Sequence, residues 1–300
     1  MSDWIISLEG TEAGALLATA LALLAAILHA IFGALQKGRH SPLLSRGIID
    51  ASYGLMAAPV ALFIVPWPAP HMWPIFAVMM LIHLGYKGAQ VASYQRGAYT
   101  VVYPVMRGTG PLFTVIGASI FFGEHFTLVQ WIGVITLLSG IYGLAFYNLR
   151  TITVDRETLV PALWLAVLTG PFVAAYTTYD AYGIRAANDP FTFLAWFFFL
   201  DGLTMPPVAW YAWRRMANPP AFGPLALRGF IGGIVALASF GSIMLATRLD
   251  QVGEAAVLRE TSTVFAALIG WLMLGERVGP RRLALMGLIA AGAVIVEMGG

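Results

Sequence analysis

Apolar runs of about twenty residues recur along this chain, the length a helix needs to cross the hydrocarbon core of a bilayer. Clusters of charge, proline and glycine cut them into ten predicted helices, near residues 13–36, 46–66, 72–95, 98–122, 127–148, 159–184, 191–213, 224–248, 251–273 and 280–298. The one long polar interval, NLRTITVDRETLVP around Asn148 to Pro161, falls between the fifth and sixth runs. It reads as a linker between two halves, 1–150 and 151–300. The other connections, such as KGRHSPLLSR and RRMANPPAFGP, are short and predict tight hairpins.

The halves carry a repeated segment. RGTGPLFTVIGASIFFGE, from Arg107 to Glu124, returns as RETSTVFAALIGWLMLGE, from Arg259 to Glu276. Arg, Thr, Phe, Gly and Glu are identical in register, and most other positions exchange one apolar residue for another. Five helices per half is an odd number, so two copies of one unit enter the membrane in opposite senses. The expected fold is an all-α integral membrane protein of ten transmembrane helices in two inverted five-helix repeats, an arrangement that places a site at the repeat interface.

Composition narrows the class further. Hydrophobic residues make up 59% and charged residues 11% of the chain, with a mean hydropathy of +0.79, against about 25% charged residues in soluble domains. A net charge of only +2, spread along the chain, offers no nucleic-acid footprint. With no cysteine, disulfides, thiolate catalysis and cysteine metal sites are excluded. The opening residues carry Asp3, Glu9 and Glu12 and no basic residue, so the first helix is expected to be retained rather than cleaved as a signal peptide. No HExxH, GxSxG or phosphate-binding loop is present, so no enzyme activity, metal or cofactor is expected, and ATP hydrolysis is not the driver.

Basic residues near helix ends give an orientation. Lys37, Arg39, Arg46, Arg96, Arg150, Arg156, Arg214, Arg215, Arg228, Arg277, Arg281 and Arg282 fall on one face, and only Arg185 and Arg248 on the other. The first face is therefore expected in the cytoplasm, with both termini outside the inner (plasma) membrane. Trp67, Trp73, Trp131, Trp210 and Trp213 sit near run ends, as interfacial anchors do.

The fourth and fifth runs carry Pro111, Phe113, Thr114, Gly123, Glu124, Gln130, Gly133 and Gly140. This pattern resembles the EamA-type carriers of the drug/metabolite transporter superfamily. The second half repeats it with Phe265, Gly275, Glu276, Gly287 and Gly292 but lacks the proline and the glutamine, which makes it the weaker match. The resemblance implies a secondary transporter and favours export, and it suggests cytoplasmic termini where the charge bias argues the reverse. The Gly-Glu pair has a plain reading of its own: glycine ends the helix in a left-handed conformation and the carboxylate sits at the headgroups.

Ionisable side chains at membrane depth are costly and mark a cavity or a partner. Arg107 and Arg259 lie about midway along their runs, where inverted symmetry would set them on one cavity. Two guanidiniums suit a carboxylate, phosphate or sulfonate. Equally, they could pair with Asp50, Asp201, Glu254 or Glu260 and lock helices together. His83, Tyr86 and Lys87 form a polar stripe on the third run, and Tyr103, Tyr176, Tyr179 and Trp196 are further candidates for the cavity wall, as is Tyr53. Lys87 could instead snorkel to the surface. Glu260, Glu254 and Asp201 are the candidate proton-coupling acids, while Asp180 and His29 read as an interfacial residue and a buried, satisfied histidine. Pro104 and Pro111, flanking Gly108 and Gly110, could break the fourth helix beside Arg107. The expected partners are a small-molecule substrate and the lipid bilayer, with no nucleic acid, as a monomer or homodimer. A small polar metabolite, an amino acid or another carboxylate, is the favoured cargo; an organic cation, or an enzyme acting on lipid-linked substrates, are the alternatives.

Overall fold

A computed structural model describes residues 2–36, 41–96, 99–151, 156–274 and 279–300. Among the described residues there are thirteen helices and no strand. In chain order they are α1 (Ser2–Leu8), α2 (Glu12–Gln36), α3 (Pro42–Phe63), α4 (Met72–Arg96), α5 (Tyr99–Phe122), α6 (Leu128–Thr151) and α7 (Arg156–Ala186). The remainder are α8 (Pro190–Asp201), α9 (Pro206–Arg214), α10 (Phe222–Leu249), α11 (Val252–Arg259), α12 (Ser262–Leu274) and α13 (Pro280–Met298).

Among the described residues, six stretches are long and apolar enough to cross a membrane: Glu12–Gly33, Met72–Arg96, Leu128–Tyr147, Val160–Ala186, Pro190–Arg214 and Phe222–Leu249. The outer surface agrees, since Leu16, Phe63, Leu81, Ile120, Phe121 and Leu128 are all more than two thirds exposed. In water such a surface would drive aggregation, whereas lipid chains cover it at no cost. The chain is a multi-pass membrane protein. Other expected runs do not meet that standard alone, because α3 carries Arg46, Asp50 and Pro59 within its length and α12 has only 13 residues.

Two of the expected helices are interrupted. The run at 191–213 divides into α8 and α9 around Gly202. Asp189 caps the start of α8, accepting from the backbone N–H groups of Phe191 and Thr192 at 2.8 and 2.9 Å, with Pro190 in the first turn. At its other end a Cβ on Gly202 would lie 2.5 Å from Gly54 Cα and 2.8 Å from the Asp50 carbonyl oxygen, so α3 and the α8 terminus touch backbone to backbone. The second interruption, at Glu260 and Thr261, is bridged by short-range bonds from Thr261 N–H to Leu258 O and from Val264 N–H to Thr261 O. The break expected in the fourth helix is not found: α5 runs unbroken from Tyr99 to Phe122 despite Pro104 and Pro111. The half that lacks the proline is the one that breaks.

Helix α5 ends as its sequence implies, with Gly123 at φ +70° and the Glu124 N–H returning to Ala118 O. Two apolar cores fill the bundle. One gathers α3, α4, α8 and α10 around Phe76, Phe193 and Phe197; the other joins α2, α6, α11 and α13 around Leu137, Ile141 and Ile289. Between α6 and α13 the approach is close enough that a Cβ on Gly133 would meet the Gly292 carbonyl oxygen at 2.8 Å.

Candidate functional site

Charged and polar side chains from five helices converge in the interior. Arg46, Asp50 and Tyr53 project from one face of α3, and His83, Tyr86, Lys87 and Gln90 from one face of α4, both sets at helical spacing. Facing them are Tyr176, Thr177 and Asp180 of α7, Asp201 at the end of α8, and Arg259 and Glu260 at the break after α11. Arg46, Asp50, His83, Lys87, Asp180, Asp201, Arg259 and Glu260 are all less than 5% exposed.

Lys87 is the hub. Its ammonium donates to Asp50 Oδ2 at 2.6 Å, Asp201 Oδ1 at 2.8 Å and Thr204 Oγ1 at 3.0 Å, which engages all three of its protons. Asp50 also holds Arg46 Nε at 2.9 Å, and the Tyr53 hydroxyl donates to the second oxygen of Asp201. The side chain is wholly buried, so it does not snorkel. The Gly202–Gly54 crossing fixes this geometry, because it brings the α8 terminus down onto the polar face of α3.

His83 extends the network. Its Nε2 lies 2.9 and 3.1 Å from the two oxygens of Asp180, and its Nδ1 is 3.7 Å from Asp201 Oδ1. The ring is boxed by Tyr176 and Phe197, each with its centroid 5.1 Å away. Tyr86 stacks near Tyr176 at 4.8 Å and accepts from Gln90. Arg259 lies beyond Tyr176, with its guanidinium carbon 5.9 Å from that ring, 3.4 Å from Nη2 to the Thr177 hydroxyl, and 4.0 Å from Nε to Glu260.

Two small cavities open on this network, each of about 10 Å³, room for roughly one water molecule. One is lined by Tyr176, Thr177, Asp180, Thr247 and Arg259, the other by Arg46, Tyr53, His83, Tyr86 and Asp201. Phe240 of α10 lines both. A roomier groove of about 580 Å³ runs between α3, α8, α9 and α10, and none of its described lining residues is charged.

Several sequence expectations fall elsewhere. Tyr179 is only partly buried and packs on Tyr182, and Trp196 belongs to an aromatic cluster with Trp67 and Trp73, so neither lines the two cavities. Glu254 takes a hydrogen bond from Gln130 at the start of α11 and lines neither cavity. The side chains of Arg107 and Tyr103, and Gly275 and Glu276, lie outside the described residues. Conversely, Asp180 is no interfacial residue, and Arg46, counted among the cytoplasmic surface charges, is buried beside Asp50. Tracing the α3 face at i, i+4 and i+7 would have found Arg46 and Asp50 together.

The EamA-like transporter family matches residues 160–298, the half whose motif departs further from the pattern. The uncharacterized protein y4nH of Sinorhizobium fredii is 46% identical over 46 residues, which cover 15% of this chain and 39% of that protein. A solved crystal structure superimposes over 96% of this chain and 98% of its own, with a TM-score of 0.74 and 17% identity, a likeness of fold. Over residues 160–298 the chain is thus similar to the EamA-like transporter family, which is consistent with the drug/metabolite transporter superfamily.

Proposed function

We propose that the protein is a secondary active transporter that exports small polar metabolites, amino acids or other carboxylates, by alternating access, with proton movement as the driving step. It needs no cofactor and performs no covalent chemistry on its cargo. The observation that carries this reading is the shared origin of the buried charges: Arg46, Asp50, His83 and Lys87 come from residues 1–150, and Asp180, Asp201 and Arg259 from 151–300. Charges held between two units, beside cavities too small for a metabolite, fit an occluded state that opens when the units move apart.

The helix pairings support two inverted five-helix repeats. If α2 to α6 correspond in order to α7, α8 with α9, α10, α11 with α12, and α13, each principal contact has its counterpart. Contact of α5 with α7 answers that of α12 with α2, and contact of α10 with α2 answers that of α4 with α7. The α6–α13 and α3–α8 contacts map onto themselves, as pairs on a two-fold axis would.

An amino acid suits the cavity near α11, where a carboxylate would meet Arg259 and an ammonium would meet Asp180. Organic cations are the second reading, supported by the same Asp180 and the Tyr176 ring. The charge bias supports termini outside an inner membrane, and a monomer or homodimer is compatible with either cargo. Counterflow of each ¹⁴C-labelled amino acid in proteoliposomes tests the proposal. Exchange that Arg259→Gln abolishes is expected. Failure of every amino acid, with exchange of a quaternary ammonium such as choline or tetraethylammonium, would move the assignment to cations.

A further inference from the structure

We infer that His83 is a proton relay between the two cavities, passing a proton between Asp180 and Asp201. This rests on the carrier reading above and assigns its coupling step to a residue and a path. The two carboxylates line different cavities, Asp180 the one near α11 and Asp201 the one near α3. Phe240 lines both cavities and offers no group that could carry a proton. One ring nitrogen of His83 faces each carboxylate, so the imidazole is the polar connection between them.

The step balances without any further reactant. A proton on Asp180 transfers to Nε2 as the N–H bond forms and the carboxylate is left. The imidazolium then releases the Nδ1 proton to Asp201, restoring a neutral ring of the other tautomer. In the occluded state the connection is unequal: 2.9 Å to Asp180 is within transfer reach, whereas 3.7 Å to Asp201 is beyond it. The second transfer therefore waits for a movement of α4 against α8 or for a bridging water. Coupling follows, because the proton can leave only when α4 and α8 have shifted between the two units.

The surroundings of His83 are charged on every side. Lys87 lies one turn along α4; α3 presents Arg46, Asp50 and Tyr53; α7 presents Asp180 and Tyr176; α8 presents Asp201; and α11 brings Arg259 behind the Tyr176 ring. Lys87 occupies one oxygen of Asp201 and Tyr53 the other, so a proton arriving there displaces an existing bond. That displacement would loosen the α3–α8 contact.

¹⁵N NMR of histidine-labelled protein in detergent tests the relay without any substrate. Among the five histidines, the resonances missing from His83→Gln report which ring nitrogen carries the proton. Their pattern should change in both Asp180→Asn and Asp201→Asn. A pattern that responds to only one of the two acids, or to neither, overturns the proposal. In proteoliposomes the ratio of uptake driven by a pH gradient to counterflow, measured with a labelled amino acid, should fall at least tenfold in His83→Gln relative to the wild-type protein. An unchanged ratio in His83→Gln refutes the relay while leaving a carrier. Wild-type protein without counterflow of any amino acid or quaternary ammonium refutes the carrier instead, and the NMR result still decides on the histidine.

Discussion

Arg185 and Arg248 cap each other's helices. Arg185, in the last turn of α7, donates to the carbonyl oxygens of Thr247 and Asp250 at 2.8 and 2.7 Å, at the end of α10. Arg248, in the last turn of α10, donates to Ala187 O at 2.9 Å and to Ile184 O, at the end of α7. Each guanidinium thereby satisfies carbonyls that a helix terminus leaves unpaired and sits at the negative end of its neighbour's dipole. Glu9 holds Arg248 at 2.6 Å, and the pair closes the bundle beside the Arg259 cavity, which Thr247 lines.

Breaking that clasp should open this end. With Thr247→Cys as the sole thiol in a cysteine-free chain, an impermeant maleimide should react at least about tenfold faster when Arg185 and Arg248 are both Gln. A tenfold change corresponds to about 1.4 kcal/mol, less than the loss of two charged hydrogen bonds at about 1.5–3 kcal/mol each. Equal labelling rates would mean that the end is sealed by something other than the two arginines.

Lys87→Met should destabilise the protein by about 3–5 kcal/mol, since two buried carboxylates lose their shared cation. The expected result is a large drop in melting temperature in detergent. Adding Asp201→Asn to Lys87→Met should recover much of the stability without recovering transport, because Asp50 keeps Arg46 as its partner and no charge at the hub is left unpaired. Failure of the double variant to melt above the single one would argue against Lys87 as the hub.

Gly202→Ala should impair transport more than stability. The new methyl group meets Gly54 Cα and the Asp50 carbonyl, neither of which can rotate away, so the α8 terminus must lift from α3. Asp201 then moves off Lys87. Distances between spin labels on α3 and α8 should lengthen, and unaltered distances with full activity would show that the crossing is slack.

Glu124→Ala should cost about 1–2 kcal/mol. The carboxylate accepts from the N–H groups of Val252 and Gly253 at 2.7 and 2.9 Å and caps α11 from the other half of the chain. Hydrogen exchange in the first turn of α11 should accelerate, with Glu124→Gln intermediate. The sequence assigns this residue a helix-end role, and the structure supplies its partner.

Hydropathy made the apolar helices legible because length and composition alone decide whether a segment suits lipid, and the helix limits of α2, α4, α7 and α10 lie within a few residues of the expected runs. The site was legible only in pieces. His83 and Lys87 stood out as charges at depth, but their partners are Asp180 and Asp201, 97 and 114 positions away. Separations of that size leave no periodic trace. Arg46 was misassigned because a charge near a helix start looks the same whether it meets water or a buried carboxylate. The break at Glu260 was missed for a related reason: proline marks where a helix can break, yet here the interruption follows from tertiary packing in a segment without one.

The bond from Glu124 to Val252 also sets a timetable for biogenesis. The two residues are 128 positions apart, a wait of roughly 6–25 s at ribosomal speeds of about 5–20 residues per second. Until the later residue emerges, Glu124 lacks the two N–H groups that it caps in the folded protein. A truncated nascent product should therefore be a target for membrane quality control, and the two units, expressed as separate polypeptides, should be rescued only when both are made in the same cell.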